Sequence, residues 1–278
     1  MNSDTLHPLD DALQLEPAGA DRYTGRTTPA YWNMVGPFGG ATAATLLQAV
    51  MQHPQRLGEP LSLTVNYAGA VGEGAFTVQA TPVRTNRSTQ HWVLSIVQPG
   101  PDGEPVTTTT GTAVTAARRE TWSATDTPMP DAPAPDALQP LGKGLGVGWL
   151  DRYDLRPVTG DMPQRWDGSS RSEGSLTRLW MRDEPARPLD FCALAALADV
   201  FYPRVWLRRA HRVPAGTVSL TVYFHASGAQ LHATGADHLL GQARAQEFRN
   251  GFFDQTAQLW SRAGSLLASS HQIVYYKE

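Results

Sequence analysis

A chain of 278 residues, 41% hydrophobic and 18% charged, is long enough to bury the core of two domains or of one double-sized one. Its formal net charge of -3, with no Lys/Arg run, argues against a polyanionic partner, so neither nucleic acid nor an anionic membrane surface is expected. The single cysteine, Cys192, excludes a disulfide framework and a thiolate metal site and fits a reducing compartment. Met1 to Pro8 lacks a basic, then apolar, leader pattern, and no window holds 18 uninterrupted apolar residues, so the expectation is a cytoplasmic protein.

In chain order, Ala12 to Glu16 and Asp21 to Arg26 alternate with period two around Pro17-Ala-Gly and predict an opening hairpin. Tyr31 to Gly40 carries the glycines and proline of a tight loop, and Ala41 to Met51 predicts a helix of small side chains with Leu47, Val50 and Met51 on one face. Strands are predicted at 61–67, 75–81, 89–97 and 106–115, separated by turn-forming residues. From 120 to 146 periodicity is lost among prolines and a Gly142 to Gly148 run. That run matches neither phosphate-binding glycine pattern and reads as linker.

The second half repeats the plan. A strand ending in Ser175 to Met181 precedes the apolar stretch Phe191 to Tyr202, which has helical spacing. Strands are then predicted over 217–225, 230–238, 241–253, 257–261 and 266–276. Ser-Leu-Thr-Val occurs at 62–65 and again at 219–222, each time in the first strand after the helix, which reads as an internal duplication. The expected class is α+β, one long helix and an antiparallel sheet, twice. The domains are expected at 1–118 and 147–278, with 119–146 between them.

Asp199 is the single charged residue between Phe191 and Tyr202. A carboxylate late in a helix opposes the helix dipole, and one beside an apolar stripe loses hydration, so it calls for a partner or a task.

The segments Gly36-Pro-Phe-Gly-Gly40, Leu61 to Tyr67 and Arg84-Thr-Asn-Arg-Ser88 resemble the TesB-like (thioesterase II) acyl-CoA thioesterases. The resemblance implies a double hotdog, two fused folds in which a sheet wraps a long helix. It also implies a water held by an Asp, a hydroxyl and a Gln, which fall on Asp199, Thr217 and Gln272. The chain departs from the family in carrying Ser219-Leu220 for an Asp-His step and Val200-Phe-Tyr-Pro203 for a more polar turn.

An acyl thioester is already activated, so its hydrolysis needs a positioned water, an acceptor for its proton and donors for the carbonyl oxygen. Asp199 fits a general base whose pKa burial would raise. Gly39 and Gly40 at a helix N-terminus are candidate donors to the carbonyl oxygen. Arg84 and Arg87 are candidates for the phosphates of coenzyme A. Against these stand plainer readings: a buried carboxylate satisfied locally, a β-branched strand residue at 217, a solvent-facing amide at 272, a packing glycine turn and solvated arginines.

There is no G-x-S-x-G elbow and no tight histidine cluster, so neither a serine hydrolase nor a metal site is expected, and no cofactor is implied. Two other readings stay open. One is a non-catalytic acyl-CoA-binding protein; the other is a hotdog hydratase using His225. A homodimer or larger homo-oligomer is expected from the family. One active site per chain is expected because Ala41 to Met51 contains no acid, leaving Thr42 or an alanine opposite Asp199.

Overall fold

Two helices of small and apolar residues lie antiparallel against each other on one continuous antiparallel sheet of thirteen strands. The computed structural model describes residues 6–144 and 146–278. The first five residues, on which the expectation of no leader partly rests, and Leu145 of the glycine run lie outside them. Among the described residues, no helix is long and apolar enough to cross a membrane.

The first half comprises helix α1 (Pro8–Ala12), strands β1 (Glu16–Pro17) and β2 (Arg22–Arg26), helix α2 (Gly39–Met51), and strands β3 (Glu59–Tyr67), β4 (Ala75–Thr85), β5 (Thr89–Pro99) and β6 (Pro105–Ala116). The second adds β7 (Tyr153–Thr159), β8 (Thr177–Asp183), α3 (Phe191–Leu197), α4 (Arg204–Arg209), β9 (Ala215–Phe224), α5 (Gly228–Thr234), β10 (Leu239–Arg244), β11 (Phe248–Arg249), β12 (Phe252–Trp260) and β13 (Leu266–Tyr276). The sheet runs β1-β2-β4-β5-β6-β3-β9-β13-β12-β10-β8-β7, with β11 paired to β12. Strands β3 and β9, the two that carry Ser-Leu-Thr-Val, join the halves through pairs from Ser62–Tyr223 to Asn66–Ser219.

Small residues bring the helices together. A Cβ on Gly40 would lie 2.5 Å from the carbonyl oxygen of Ala196, so only glycine permits this approach. At the other end the Cys192 thiol donates to Gln48 Oε1 at 3.4 Å, which fixes the antiparallel direction. All seven residues of α3 are buried. Along β5 the buried side chains alternate, Gln90, Trp92, Leu94, Ile96 and Gln98, as period two requires of a strand with one face on the core.

Several elements differ from expectation. The chain before β1 is helical because Pro8 sits in the first turn, His7 Nδ1 accepts the Leu9 N–H, and Leu9 and Leu13, four apart, both bury. The predicted strand 230–238 is instead α5, set by a capping box between Ser227 and Gln230. The predicted strand 241–253 is broken: β11 turns at Asn250 (φ 56°) and Gly251 (φ 77°) into β12, a hairpin in which both central residues need positive φ.

Most consequentially, α3 stops at Leu197 rather than running to Tyr202. The Asp199 N–H reaches back only to the Ala196 carbonyl, tightening the chain into a turn that places Asp199 beyond the helix. Residues 120–146 are not a free tether either. Carbonyls of Thr127 and Pro133 accept the indole N–H groups of buried Trp260 and Trp180, and Arg156 donates to the Pro135 carbonyl. Residues 127–135 form a strap laid over the second half.

Candidate active site

Asp199 leaves α3 pointing at the N-terminus of α2, where its carboxylate lies beside Gly39 and feels the backbone N–H of Gly40. A Cβ on Gly39 would stand 2.7 Å from Asp199 Oδ2. Glycine at 39 is therefore a steric condition for the carboxylate being where it is. The positive end of the helix dipole favours the ionised form, yet burial dominates and raises the Asp199 pKa to about 7, against the opposing hydrogen bonds from Gln272 and Gly40.

From β13, Gln272 Nε2 donates to Asp199 Oδ1 at 2.8 Å. From β9, the Thr217 hydroxyl donates to Gln272 Oε1 at 3.4 Å. The amide thus has one orientation, with its oxygen toward Thr217 and its nitrogen toward Asp199. Sheet register explains the meeting: Gln272 lies opposite Leu220, and a bulge between Ile273 and Val274 brings Thr217 opposite Val274. Three residues far apart in sequence become one hydrogen-bonded line, with the carboxylate at one end and a half-buried hydroxyl at the other.

Gly39 and Gly40 both open α2 beside Asp199, so both stay candidate donors to a substrate oxygen. The other candidates fall elsewhere. Arg84 and Arg87 are exposed at the β4–β5 turn, and Arg84 donates to Asn86 at 3.1 Å. Through the register Thr85–Gln90–Thr115–Pro60 this turn lies at the start of β3, whereas Asp199 lies near its end at Tyr67. The intervening strand spans roughly 24 Å, and the structure does not bring these arginines to the site. His225 is also at the far end; its Nε2 meets Ser269 Oγ at 2.9 Å, and burial with nearby Arg118 lowers its pKa. No carboxylate partner for it occurs among the described residues, so the histidine–acid pair of a hydratase is not built here.

Sequence reading missed two contributors. The half-buried Tyr67 donates its hydroxyl to the Gly39 carbonyl at 2.8 Å, and desolvation with nearby Asp199 raises its pKa well above the usual value. Ser270 donates to the Ala198 carbonyl at 3.3 Å, tying the end of α3 to β13. The repeat held the signal for Tyr67: its counterpart after the second Ser-Leu-Thr-Val is Phe224.

That repeat also shows what became of a second site. Pro60 corresponds to Thr217 and Ala113 to Gln272, with the strand bulge recurring between Pro60 and Ser62. Gln48 follows Pro37 at the interval by which Asp199 follows Pro188, so the residue opposite Asp199 is Gln48, not Thr42 or an alanine. Phe191, in the place of Gly40, meets Phe224 edge to face at 5.8 Å and fills the space. None of these counterpart positions carries an acid.

Gly39→Ala is expected to lower turnover by roughly ten- to a hundredfold if Asp199 is the expected base, since the added Cβ displaces its carboxylate by about 1 Å. Steady-state kinetics beside a thermal melt checks this; an unchanged kcat would remove the steric argument.

The chain matches two family models, the acyl-CoA thioesterase N-terminal domain over residues 28–116 and the acyl-CoA thioesterase C-terminal domain over residues 124–276. Among solved structures it is similar to a conserved protein of unknown function with a hot dog fold from Alicyclobacillus acidocaldarius, with 45% identity, TM-score 0.89 and 99% of both chains covered. It is also similar to a putative thioesterase II from Thermobifida fusca YX, with 18% identity, TM-score 0.81 and 98% of both chains covered. An acyl-CoA thioesterase II from Mycobacterium marinum shares 19% identity at TM-score 0.74, over 97% of this chain and 98% of that one. No curated protein matches the sequence.

Proposed function

The chain belongs to the acyl-CoA thioesterase family and is a thioester hydrolase, and from that premise we propose that it cleaves fatty acyl-CoA, or a related acyl thioester, to free acid and coenzyme A. Asp199, Thr217 and Gln272 are proposed to handle the water. The observation that carries this reading is the Thr217–Gln272–Asp199 line, because it fixes a buried carboxylate by its neighbours while a hydroxyl stands ready to orient a water.

In this reading Asp199 accepts a proton as the water oxygen bonds to the acyl carbon, and the carbonyl electrons move onto its oxygen. Gly39 N–H and the α2 dipole stabilise that oxyanion. The oxyanion then collapses, the C–S bond breaks, and the leaving sulfur takes the proton from Asp199. The product acid ionises and releases one proton to solvent. Free thiol released from a panel of acyl-CoA chain lengths tests the proposal, and absence of turnover across the panel would favour a binding protein without catalysis.

We further propose one site per chain, placed on the 147–278 domain with the 1–118 domain as its wall. Calorimetric titration of Asp199→Asn with a long-chain acyl-CoA is expected to give one equivalent per chain, and two equal equivalents would overturn it. Self-association is proposed through the outer sheet face, where Val93, Val218, Tyr223 and Ile273 are exposed. A monomeric mass at micromolar concentration would count against that.

A further inference from the structure

The segment joining Asp199 to Thr217 contains a short basic cluster, which the reading of no Lys/Arg run passed over: Arg208-Arg209-Ala-His211-Arg212, at the end of α4 and in the turn after it. Arg204, earlier in α4, is fully buried and spends its guanidinium on the carbonyls of Tyr202 and Ser175 and the hydroxyl of Thr177, so its role is structural. The others face outward. Along them lies residues 160–175, held by Gly168 N–H to the Ala210 carbonyl at 3.2 Å, Ser172 N–H to the Leu207 carbonyl at 2.8 Å and Arg208 to the Ser172 carbonyl at 3.0 Å.

This loop presents Trp166. Its half-buried ring stands edge-on to Trp206 at 5.6 Å, and the exposed Arg212 guanidinium lies over it, 4.6 Å from the centroid. Trp206 in turn donates its indole N–H to the Val213 carbonyl at 2.8 Å, fixing the turn that carries Arg212. Nearby acids are already engaged: Glu278 pairs with Arg209, and Asp167 accepts from Ser169 while its charge also feels His211. Among the described residues, neither Arg208 nor Arg212 has a carboxylate partner.

We propose that the Trp166–Arg208–Arg212 face binds the nucleotide end of coenzyme A, the adenine stacking on the Trp166–Arg212 layer and the phosphates meeting the guanidinium groups. This rests on the acyl-CoA reading above. An aromatic ring capped by a guanidinium is a platform for a base, and arginine forks match phosphate oxygens. The position suits the substrate. Val205 of α4 packs with Phe253 and Val274, and Val274 is the cross-strand partner of Thr217. Arg212 precedes Thr217 by five residues, a span of at most about 18 Å, within reach of the pantetheine arm between thioester and phosphates.

The test compares an acyl-CoA with the same acyl group on pantetheine, which lacks the nucleotide, in wild type, Trp166→Ala, Arg212→Ala and Arg208→Ala/Arg212→Ala. The expected result is a fall of roughly tenfold or more in the ratio of kcat/KM for acyl-CoA to that for acyl-pantetheine, with the loss in KM. The wild-type ratio should also decline with added salt, and less steeply in the double variant. An unchanged ratio in all three variants overturns the site while leaving hydrolysis intact. If wild type turns over neither substrate, the functional reading fails instead. Calorimetry with adenosine 3′,5′-bisphosphate then decides the site alone: binding that weakens in Arg212→Ala supports it, and no binding overturns it.

Discussion

Asp199→Asn is expected to lower kcat by roughly 10²–10⁴-fold, the usual cost of losing a general base, while the fold persists because the amide keeps the carboxylate's shape. Gly40 can still donate to the Asn oxygen. Gln272 cannot donate to an Asn nitrogen, so the variant side chain turns its oxygen to one partner and weakens the other contact. Wild-type kcat should follow ionisation of a carboxyl whose pKa burial has raised to about 7, so activity rises with pH through that value and levels above it. The variant's residual rate should lack this step. A variant retaining near-wild-type turnover would move the base to another group.

Asp183→Asn should act on stability rather than turnover. Asp183 is buried at the end of β8, its Oδ1 has no hydrogen-bond partner, and burial raises its pKa to about 7 despite nearby Arg187. The unfolded chain ionises this group near pH 4, so between about 4 and 7 the folded state binds the extra proton. Its contribution is therefore most favourable below the unfolded pKa and is lost as pH rises through about 7. Replacing it with an amide, which carries no charge to desolvate, is expected to stabilise the protein at pH 8. The gain is roughly 1–4 kcal/mol, the upper end being the cost of moving a carboxyl from its ordinary range to 7. Denaturant melts at pH 8 and pH 5 read the difference; a gain as large at pH 5 would mean that charge is not the cause.

Period and repetition made much of the sheet and α2 legible, because strand alternation and helix spacing are local patterns. The family resemblance named Asp199, Thr217 and Gln272, but no local pattern could show that a bulge between Ile273 and Val274 sets Thr217 opposite Val274, two residues along β13 from Gln272. Local cues that were present but passed over account for α5 and the β11–β12 turn: Ser227 with Gln230, and Asn250-Gly251. Reading α3 through to Tyr202 followed apolar spacing alone, and spacing cannot register a backbone turn at Ala196–Asp199. Arg84 and Arg87 looked suitable by charge and turn position. Which end of a strand a turn occupies, relative to a site in the other half, is a property of the assembled sheet.

The segment 120–146 that carries the strap also sets a minimum leash. In the sheet β6 and β7 are separated by β3, β9, β13, β12, β10 and β8, about 33 Å at the ordinary strand spacing. Extended proline-rich chain advances about 3.1 Å per residue, so about a dozen residues are needed to follow the sheet across that distance. A chain trimmed below that cannot return to its own β8. It can still supply β7 to a neighbour whose leash is equally short, so trimming converts a self-contained fold into an exchanged pair, the same sheet completed by two molecules instead of one.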